Sequence, residues 1–360
     1  MPYTTIDDPS AHFQIKTYTG STNSVTVTNE GNSDMQPDWV WVKRYNSGTN
    51  DHNIFDSSRG FTKRLWTNQN TAENTDDGTG VTVHSDGFAT GTYWGDVNNN
   101  GSGFVGWQWK ANGGTRTTFT ESGNNPAGGH QANTTAGFSI VDYTGTGAAG
   151  TVAHGLGAVP KVLLVQNRDE GEDWAVYHRN ASAAGNDSYL RLNTTAAPAT
   201  AGTVWNDTTP TSTVFTVGSN NKTNKDNVKY IAYCFAEIKG FSKFGKYIGN
   251  GDNDGTFQFT GFQPAWLMIK RIDSTTNANW WIHDIKRSVF NVISRTLKAD
   301  TNAAEVNSSD QYVDLFSNGF KLRNGNSSQN DGTYIYLAFA HSPFVTSKGT
   351  PTTAGMIKLT

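Results

Sequence analysis

Short apolar runs, roughly five to seven residues long and bounded by Gly, Asn or Pro, follow one another along the chain. One run recurs three times, with a proline before it and a basic residue at its end. The copies are Pro37–Arg44, Pro160–Arg168 and Pro264–Arg271. Runs of this length, rich in aromatic and β-branched residues, predict strands. Residues 291–297 are the best helix candidate, and that stretch is short.

The spacing of the repeated strands is shared by other landmarks. The three prolines are 123 and 104 residues apart, and aromatic residues that open and close each stretch keep nearly the same intervals. These landmarks are Tyr18, Tyr143 and Tyr247 at the opening, and Phe104, Tyr230 and Tyr334 at the close. Agreement of this kind predicts three tandem copies of one β-rich unit.

The predicted units occupy residues 1–110, 137–238 and 239–344. Residues 111–136 contain almost only Gly, Thr, Asn, Ser and Pro, which is typical of a linker or an extended arm, and residues 345–360 form a C-terminal tail. The first unit departs most from the other two. Since terminal repeats often cap or attach an array, it is the possible attachment end.

Six to eight strands in about 100 residues predict an antiparallel β-sandwich of the jelly-roll kind for each unit. The repeated and closing strands are apolar on both alternating faces, as in Tyr334–Ala340. Such strands are expected to fill the sandwich with one face and to pack on a neighbouring unit or subunit with the other.

The composition of the chain limits the classes of binding partner that are plausible. Charged residues make up 16% of the 360 residues, below the roughly 25% of ordinary globular chains, and the net charge is −3. No basic run occurs, so nucleic acid and anionic membranes are poor candidates. No apolar stretch approaches the roughly 18 residues of a membrane span, so we expect no insertion into a membrane. Residues 1–8 lack the charged and apolar regions of a signal peptide, so we expect the protein to be synthesised in a cytoplasm. Cys234 lies in an apolar run and is expected to be an inert, buried thiol.

Five stretches of the chain together resemble a known family. They are Tyr230–Glu237, Gly240–Gly245, Tyr247–Gly251, Gly261–Arg271 and Phe316–Arg323. They are similar to a repeated domain, of no assigned biochemical activity, in virion structural proteins of tailed bacteriophages, especially marine ones. The resemblance covers nearly the whole chain, from Phe13 to Phe344. It implies a concanavalin A-like β-sandwich on the virion surface, and it brings no catalytic residues.

The resemblance implies a non-enzymatic virion surface protein, in a tail fibre or another receptor-binding component for host adsorption. A capsid decoration or head-fibre protein and a glycan-degrading, tailspike-like enzyme are the alternatives. Expected partners are other virion proteins, further copies of the chain in a trimer, and a glycan of the host surface. No cofactor is expected, and the protein would be made in the host cytoplasm and end on the virion.

Enzyme chemistry finds little support in the residue pattern. A glycosidase needs two carboxylates about 5–10 Å apart across a cleft, and no Glu-x-Asp-x-x-Glu pattern occurs. The acidic cluster Asp169–Asp173 is expected to be a solvated turn. We interpret His154, His178 and His283 as structural, because no nucleophile motif or convergent ligand set accompanies them.

One loop resembles part of a calcium site. Asn250–Gly255 carries Asp252 and Asp254 at alternate positions, and it lacks the later bidentate Glu of such loops. A metal site at these two aspartates and a simple turn are both open.

Some aromatic residues lie in or beside polar stretches and are candidates for stacking on a sugar face. They are Trp66, Trp94, Trp205 and Trp280. Packing inside the protein is the alternative for each of them.

Overall fold

Antiparallel strands make up nearly all regular structure in this computed structural model, which describes residues 4–75, 80–92, 95–182, 186–289 and 291–343. The predicted all-β fold is confirmed. The first unit contains β1 Phe13–Thr19, β2 Thr26–Thr28, β3 Trp39–Arg44, β4 Asn53–Asp56, β5 Lys63–Trp66, β6 Asn74–Thr75, β7 Val81–His84, β8 Gly87–Thr90 and β9 Gly103–Trp109.

Two strands, β10 Thr117–Phe119 and β11 Ala127–Asn133, precede the second unit. That unit contains β12 Phe138–Thr144, β13 Gly150–Ala153, β14 Pro160–Asn167, β15 Ala175–His178, β16 Ser188–Arg191, β17 Ala199–Thr200, α1 Gly202–Trp205, β18 Val214–Val217, α2 Asn221–Asn224 and β19 Lys229–Ala236.

The third unit contains β20 Ser242–Ile248, β21 Phe257–Phe259, β22 Phe262–Arg271, β23 Trp280–Asp284, β24 Arg295–Lys298, β25 Val306–Asn307, β26 Val313–Phe316, β27 Gly319–Leu322 and β28 Thr333–Pro343. Two 3₁₀ turns, Pro9–Ala11 and Ser309–Gln311, complete the described elements. The helix candidate at residues 291–297 is not helical, because its second half pairs as β24 with β23.

Each unit forms one large and one small antiparallel sheet. The large sheets repeat one strand order, β1-β9-β3-β4-β5-β6, then β12-β19-β14-β15-β16-β17, then β20-β28-β22-β23-β24-β25. The small sheets are β2-β8-β7, β13-β18 and β21-β27-β26. The proline-led strand is always third in the large sheet, between the closing strand and the strand that follows it. In the second and third units the register shifts beside Pro160 and Pro264, which lack the N–H that a regular ladder needs.

The tyrosine landmarks anchor a buried asparagine in each unit. Tyr247 donates its hydroxyl proton to Gln329 O at 2.6 Å, and the next residue, Asn330, donates its amide to the carbonyls of Asp252 and Asn324. The first unit repeats this with Tyr18, Val97 and Asn98, and the second with Tyr143, Thr223 and Asn224. The repeated landmarks therefore mark a buried asparagine (Asn98, Asn224 or Asn330) that joins the loops beside each sandwich by hydrogen bonds, and we refer to it as the lock residue.

The two faces of the first and second large sheets serve different cores, whereas both faces of the third belong to the shared core. In β3, Val40 and Val42 pack inside the first sandwich, whereas Trp39 and Trp41 join a second core on the other face. That second core also takes side chains from the large sheets of the other two units. Ring centroids of Trp39 and Tyr233 are 4.6 Å apart, and those of Trp109 and Trp266 are 5.8 Å apart. The two-sided apolar pattern thus reflects three units that bury one face against each other.

The contacts between units run in one direction around a closed ring. Trp174 of the second unit donates its indole N–H to Trp66 O of the first at 2.8 Å, and Trp280 of the third donates to Arg191 O of the second at 2.9 Å. His52 of the first unit precedes Asn53, which pairs with Trp66, and so occupies the register position of Trp174 and Trp280. Close by, Thr67 of the first unit donates its hydroxyl proton to Ala299 O of the third at 2.7 Å. One heterologous interface is used three times, and the ring closes within one chain.

The stretch 111–136 differs from the predicted linker. Strand β11 pairs along its whole length with β12, and β10 pairs with β11, so both extend the second large sheet at its edge. Small residues allow this, since a Cβ on Gly128 would lie 2.1 Å from Asp142 O. The glycine-rich composition here reflects close strand packing.

Candidate functional site

Two of the tryptophans that were candidates for stacking on a sugar lie in the core. Trp205 is 1% exposed and packs in α1 against Tyr177, with ring centroids 6.0 Å apart. Trp280 is fully buried in β23 at the boundary with the second unit. Neither ring faces solvent, because the polar residues beside them belong to turns while the rings point inward, so the alternative of packing inside the protein applies to both.

Trp66 is half-buried at the end of β5. The guanidinium of Arg64 lies 4.4 Å from its ring centroid, so a cation already covers one face of the ring. Trp94 lies outside the described residues.

The loop with Asp252 and Asp254 is closed by its own hydrogen bonds. Asp252 Oδ1 accepts the N–H of Asp254 at 2.8 Å, and Asp254 Oδ1 lies 2.7 Å from Lys321 Nζ. The hydrogen bond from Lys321 lowers the pKa of Asp254. Within the described ranges no three His, Cys, Asp or Glu side chains converge as a metal site would require. The loop's carboxylates are arranged for a turn and an ion pair.

Other titratable groups singled out in the sequence are engaged in local structure. In the acidic turn, Glu170 pairs with Lys225 and Glu172 with Lys222. Cys234 is fully buried, and burial raises the pKa of its thiol. Burial lowers the pKa of His283 to about 3, with its Nε2 3.1 Å from Gln329 Oε1. None of these arrangements joins a nucleophile to a base in an open cleft.

Two completely buried ion pairs lie between units. Asp56 and Arg59 have completely buried side chains and meet at 2.5 Å, and Tyr233 of the second unit donates to Asp56 Oδ2 at 2.7 Å. Burial opposes the charge on Arg59, but Asp56, Tyr233 and Glu73 raise the pKa of the guanidinium. Asp284 and Arg287 form the same pair in the third unit, against Trp107 of the first. Both pairs are completely buried and accept a hydrogen bond from a neighbouring unit, so they act in assembly of the ring.

Three solvent-exposed aromatic side chains of the third unit lie on the outer face of its small sheet. Phe257, Phe259 and Phe316 are 43%, 55% and 40% exposed, and together they define the phenylalanine face. Phe257 and Phe316 lie 6.0 Å apart by ring centroid. Gly319 of the middle strand pairs with Phe259 on one side and Phe316 on the other, which places the rings across one shallow surface.

The other units carry different residues at the same sheet positions. Register aligns Phe257 and Phe259 with Thr26 and Thr28 of the first unit, and Phe316 with His84. In the second unit the matching strand presents Thr151 and Ala153. Among the described residues, the third unit alone of the three has phenylalanine at these sheet positions. The three exposed phenylalanines form an apolar patch that the fold itself does not require.

An open groove of about 670 Å³ lies next to this face. Tyr312 and Asp314 line it, and they alternate along β26 and its preceding residue on the same side as Phe316. Asp310, Asn253 and Asn324 complete its polar walls, and we refer to it as the Tyr312 groove. Its dimensions suit a small or extended ligand.

The family comparison covers all three units. The chain matches the model of one family, "Domain of unknown function (DUF7483)", over residues 8–343. The chain belongs to the DUF7483 family. Because the match runs from the first unit into the last strand of the third, the family includes the whole ring. No curated protein and no solved structure matches the chain.

Within the described part of this DUF7483 chain, no helix has the length and apolar character that a bilayer span needs. The residues that sequence reasoning missed are the three exposed phenylalanines and Tyr312. Their signal is a pair of phenylalanines at alternate positions, 257 and 259, where the matching strand of the first unit alternates threonine. It becomes visible only once the strands are aligned by register.

Proposed function

We propose that this protein is a non-enzymatic virion surface protein of a tailed phage, in a tail fibre or another receptor-binding component. The observation that carries the proposal is the phenylalanine face with its polar groove, present on one of three like-built units. This surface is open to solvent and suited to recognition, whereas the buried ion pairs of the described chain contact neighbouring units. The sequence resemblance to phage virion proteins supplies the biological setting.

Competition for adsorption tests this function. Purified protein added to susceptible cells before phage is expected to reduce the fraction of phage that adsorbs. The matched variant Phe257→Thr with Phe316→His places first-unit residues on the face and is expected to compete much less well. Equal competition by both proteins, or none by either, would contradict the receptor-binding role.

The alternative is that the protein lies on the virion head, as a capsid decoration or head-fibre protein. Gold-labelled antibody against the intact protein decides between tail and head by electron microscopy of virions. We propose that the first unit attaches to other virion proteins, which leaves the third unit outward. Tags at the two chain ends are a better probe of this orientation than deletion of residues 1–110, because deletion would open the shared core.

Self-association as a trimer is also proposed, since multivalent display strengthens adhesion through weak sites. A stable monomer in sedimentation equilibrium would contradict the trimer and leave the adsorption role standing.

A further inference from the structure

We propose that the Tyr312 groove and the phenylalanine face together bind an oligosaccharide that is neutral or carries an amine. The proposal rests on the adsorption function and names the chemistry of the receptor. A polar trough continuous with exposed rings suits a ligand with hydroxyl edges and apolar faces, which is the character of a sugar chain.

The charges of the groove select against acidic sugars. Its lining holds two carboxylates, Asp310 and Asp314, against one guanidinium, Arg323, which already lies 3.3 Å from Asp314. Neither the carboxylate of Asp310 nor the hydroxyl of Tyr312 makes a hydrogen bond or ion pair with the described chain. Both groups are therefore available to donors and acceptors of a ligand, and an anionic ligand would face net repulsion.

The aromatic rings set the length of the ligand. Tyr312 and Phe316 are four residues apart on one side of an extended segment, about 13 Å along the strand. Asp314 lies between them, and Phe257 widens the far end. A single sugar ring would reach only one of these features, so the site favours a chain of several sugars.

The groove walls are held before any ligand arrives. Asn324 is 2% exposed and donates to Tyr312 O at 3.2 Å, while Asn253 Oδ1 accepts the N–H of Gly325 at 3.0 Å. The buried lock residue Asn330 donates to Asn324 O at 2.6 Å. The loop that resembled a calcium site thus forms a wall of the groove through Asn253. A preformed wall reduces the entropy lost on binding.

Isothermal titration of the full chain tests the proposal. The probes are cellohexaose, maltohexaose, N-acetylated chitohexaose and chitosan hexamer, with oligogalacturonate as the acidic contrast and glucose and N-acetylglucosamine as single rings. At least one neutral or amine-bearing hexamer is expected to bind, more tightly than its single sugar and more tightly than oligogalacturonate. Tyr312→Ala is expected to weaken that binding about tenfold.

Controls separate the groove from the rest of the surface. Phe316→His, which matches the first unit, is expected to weaken binding, whereas Thr82→Ala, at the first-unit position matching Asp314, is expected to leave it unchanged. No binding by any hexamer, preference for the acidic probe, or binding unaffected by both Tyr312→Ala and Phe316→His would overturn the proposal.

These outcomes are distinct from those of the proposed function. Protein that competes for phage adsorption but binds no hexamer would keep the adsorption role and indicate a protein receptor on the phenylalanine face. If the protein binds a hexamer through the groove but antibody against it labels no virion, the sugar site stands and the virion role is refuted.

Discussion

At the scale of single residues, the repeated Tyr-x-Gly sequence has a specific physical cause. The tyrosine hydroxyl donates to the carbonyl before the buried asparagine, and the glycine two residues after the tyrosine lies against the backbone of that asparagine or of the residue that follows it. A Cβ on Gly249 would lie 2.2 Å from the carbonyl carbon of Asn330. Gly20 and Gly145 face equally close backbone atoms in their units. The glycine is therefore required by proximity.

Gly249→Ala is expected to destabilise the fold by about 1–3 kcal/mol, because backbone atoms must move to admit the methyl group. Urea unfolding followed by tryptophan fluorescence measures the change. Gly95→Ala is the matched control, since a Cβ there meets no atom of the described residues within 4 Å. Equal midpoints for Gly249→Ala and the unchanged protein would refute this explanation.

A buried histidine makes stability depend on pH. Burial lowers the pKa of His178 to about 4, although the backbone of Tyr336 raises it. In the unfolded chain the value is about 6.5, so between these values the unfolded state binds more protons and stability rises with pH. The contribution is complete above about pH 6.5 and is lost as the pH falls to about 4, on the order of 3 kcal/mol.

Urea unfolding at pH 7.5 and 4.5 tests this dependence. The free energy of unfolding is expected to be smaller at pH 4.5, and His178→Gln is expected to reduce the difference between the two conditions. The fully buried His283 acts in the same direction and stays unchanged in both proteins. The same pH difference in the variant and the original would show that His178 is not responsible.

At the scale of elements, the glycine-rich composition of residues 111–136 led to a wrong prediction, because the glycines there allow strands to pack closely. Residues 111–136 read as a linker, yet β11 takes seven residues into register with β12. Gln131 is 1% exposed and donates to Ser57 and Ser58 of the first unit. The stretch therefore connects two units by packing as well as by the chain.

Hydrogen exchange tests this element. The backbone amides of β11 that pair with β12 are expected to exchange far more slowly than those of residues 111–116 in the turn before β10. Pepsin fragments resolved by mass spectrometry give both rates from one sample. Equally fast exchange in the two stretches would restore the linker interpretation.

At the scale of the whole molecule, the ring repeats one interface with different chemistry. Register places Asp56, His178 and Asp284 at one position, opposite Trp39, Val162 and Trp266. The first and third units follow the aspartate with an arginine three residues on, while the second has Ala181 there. Two interfaces thus contain a buried ion pair, whereas the third contains a buried histidine whose Nε2 lies 3.4 Å from Tyr336 O.

Asp284→Ala is expected to cost about 3–5 kcal/mol, because it leaves Arg287 buried without its partner. The double variant Asp284→His with Arg287→Ala copies the second unit and is expected to lose less, since no buried charge remains unpaired. Calorimetric melting of both variants measures the difference. A double variant less stable than the single one would show that the attraction within the ion pair stabilises the interface, and that the loss in Asp284→Ala does not come from leaving Arg287 unpaired.

The sequence by itself determined the strands, their threefold spacing and the two-sided burial of the repeated strand, because these depend on local alternation and on residues that recur at fixed intervals. Only the tertiary structure decided that Trp205 and Trp280 point inward, that the three units close into a ring, and that Asn253 meets Tyr312 in one groove. Those outcomes depend on contacts between residues far apart in the chain. Side-chain direction on a strand and pairing between sheets are set by the packing of the whole, which no local pattern contains.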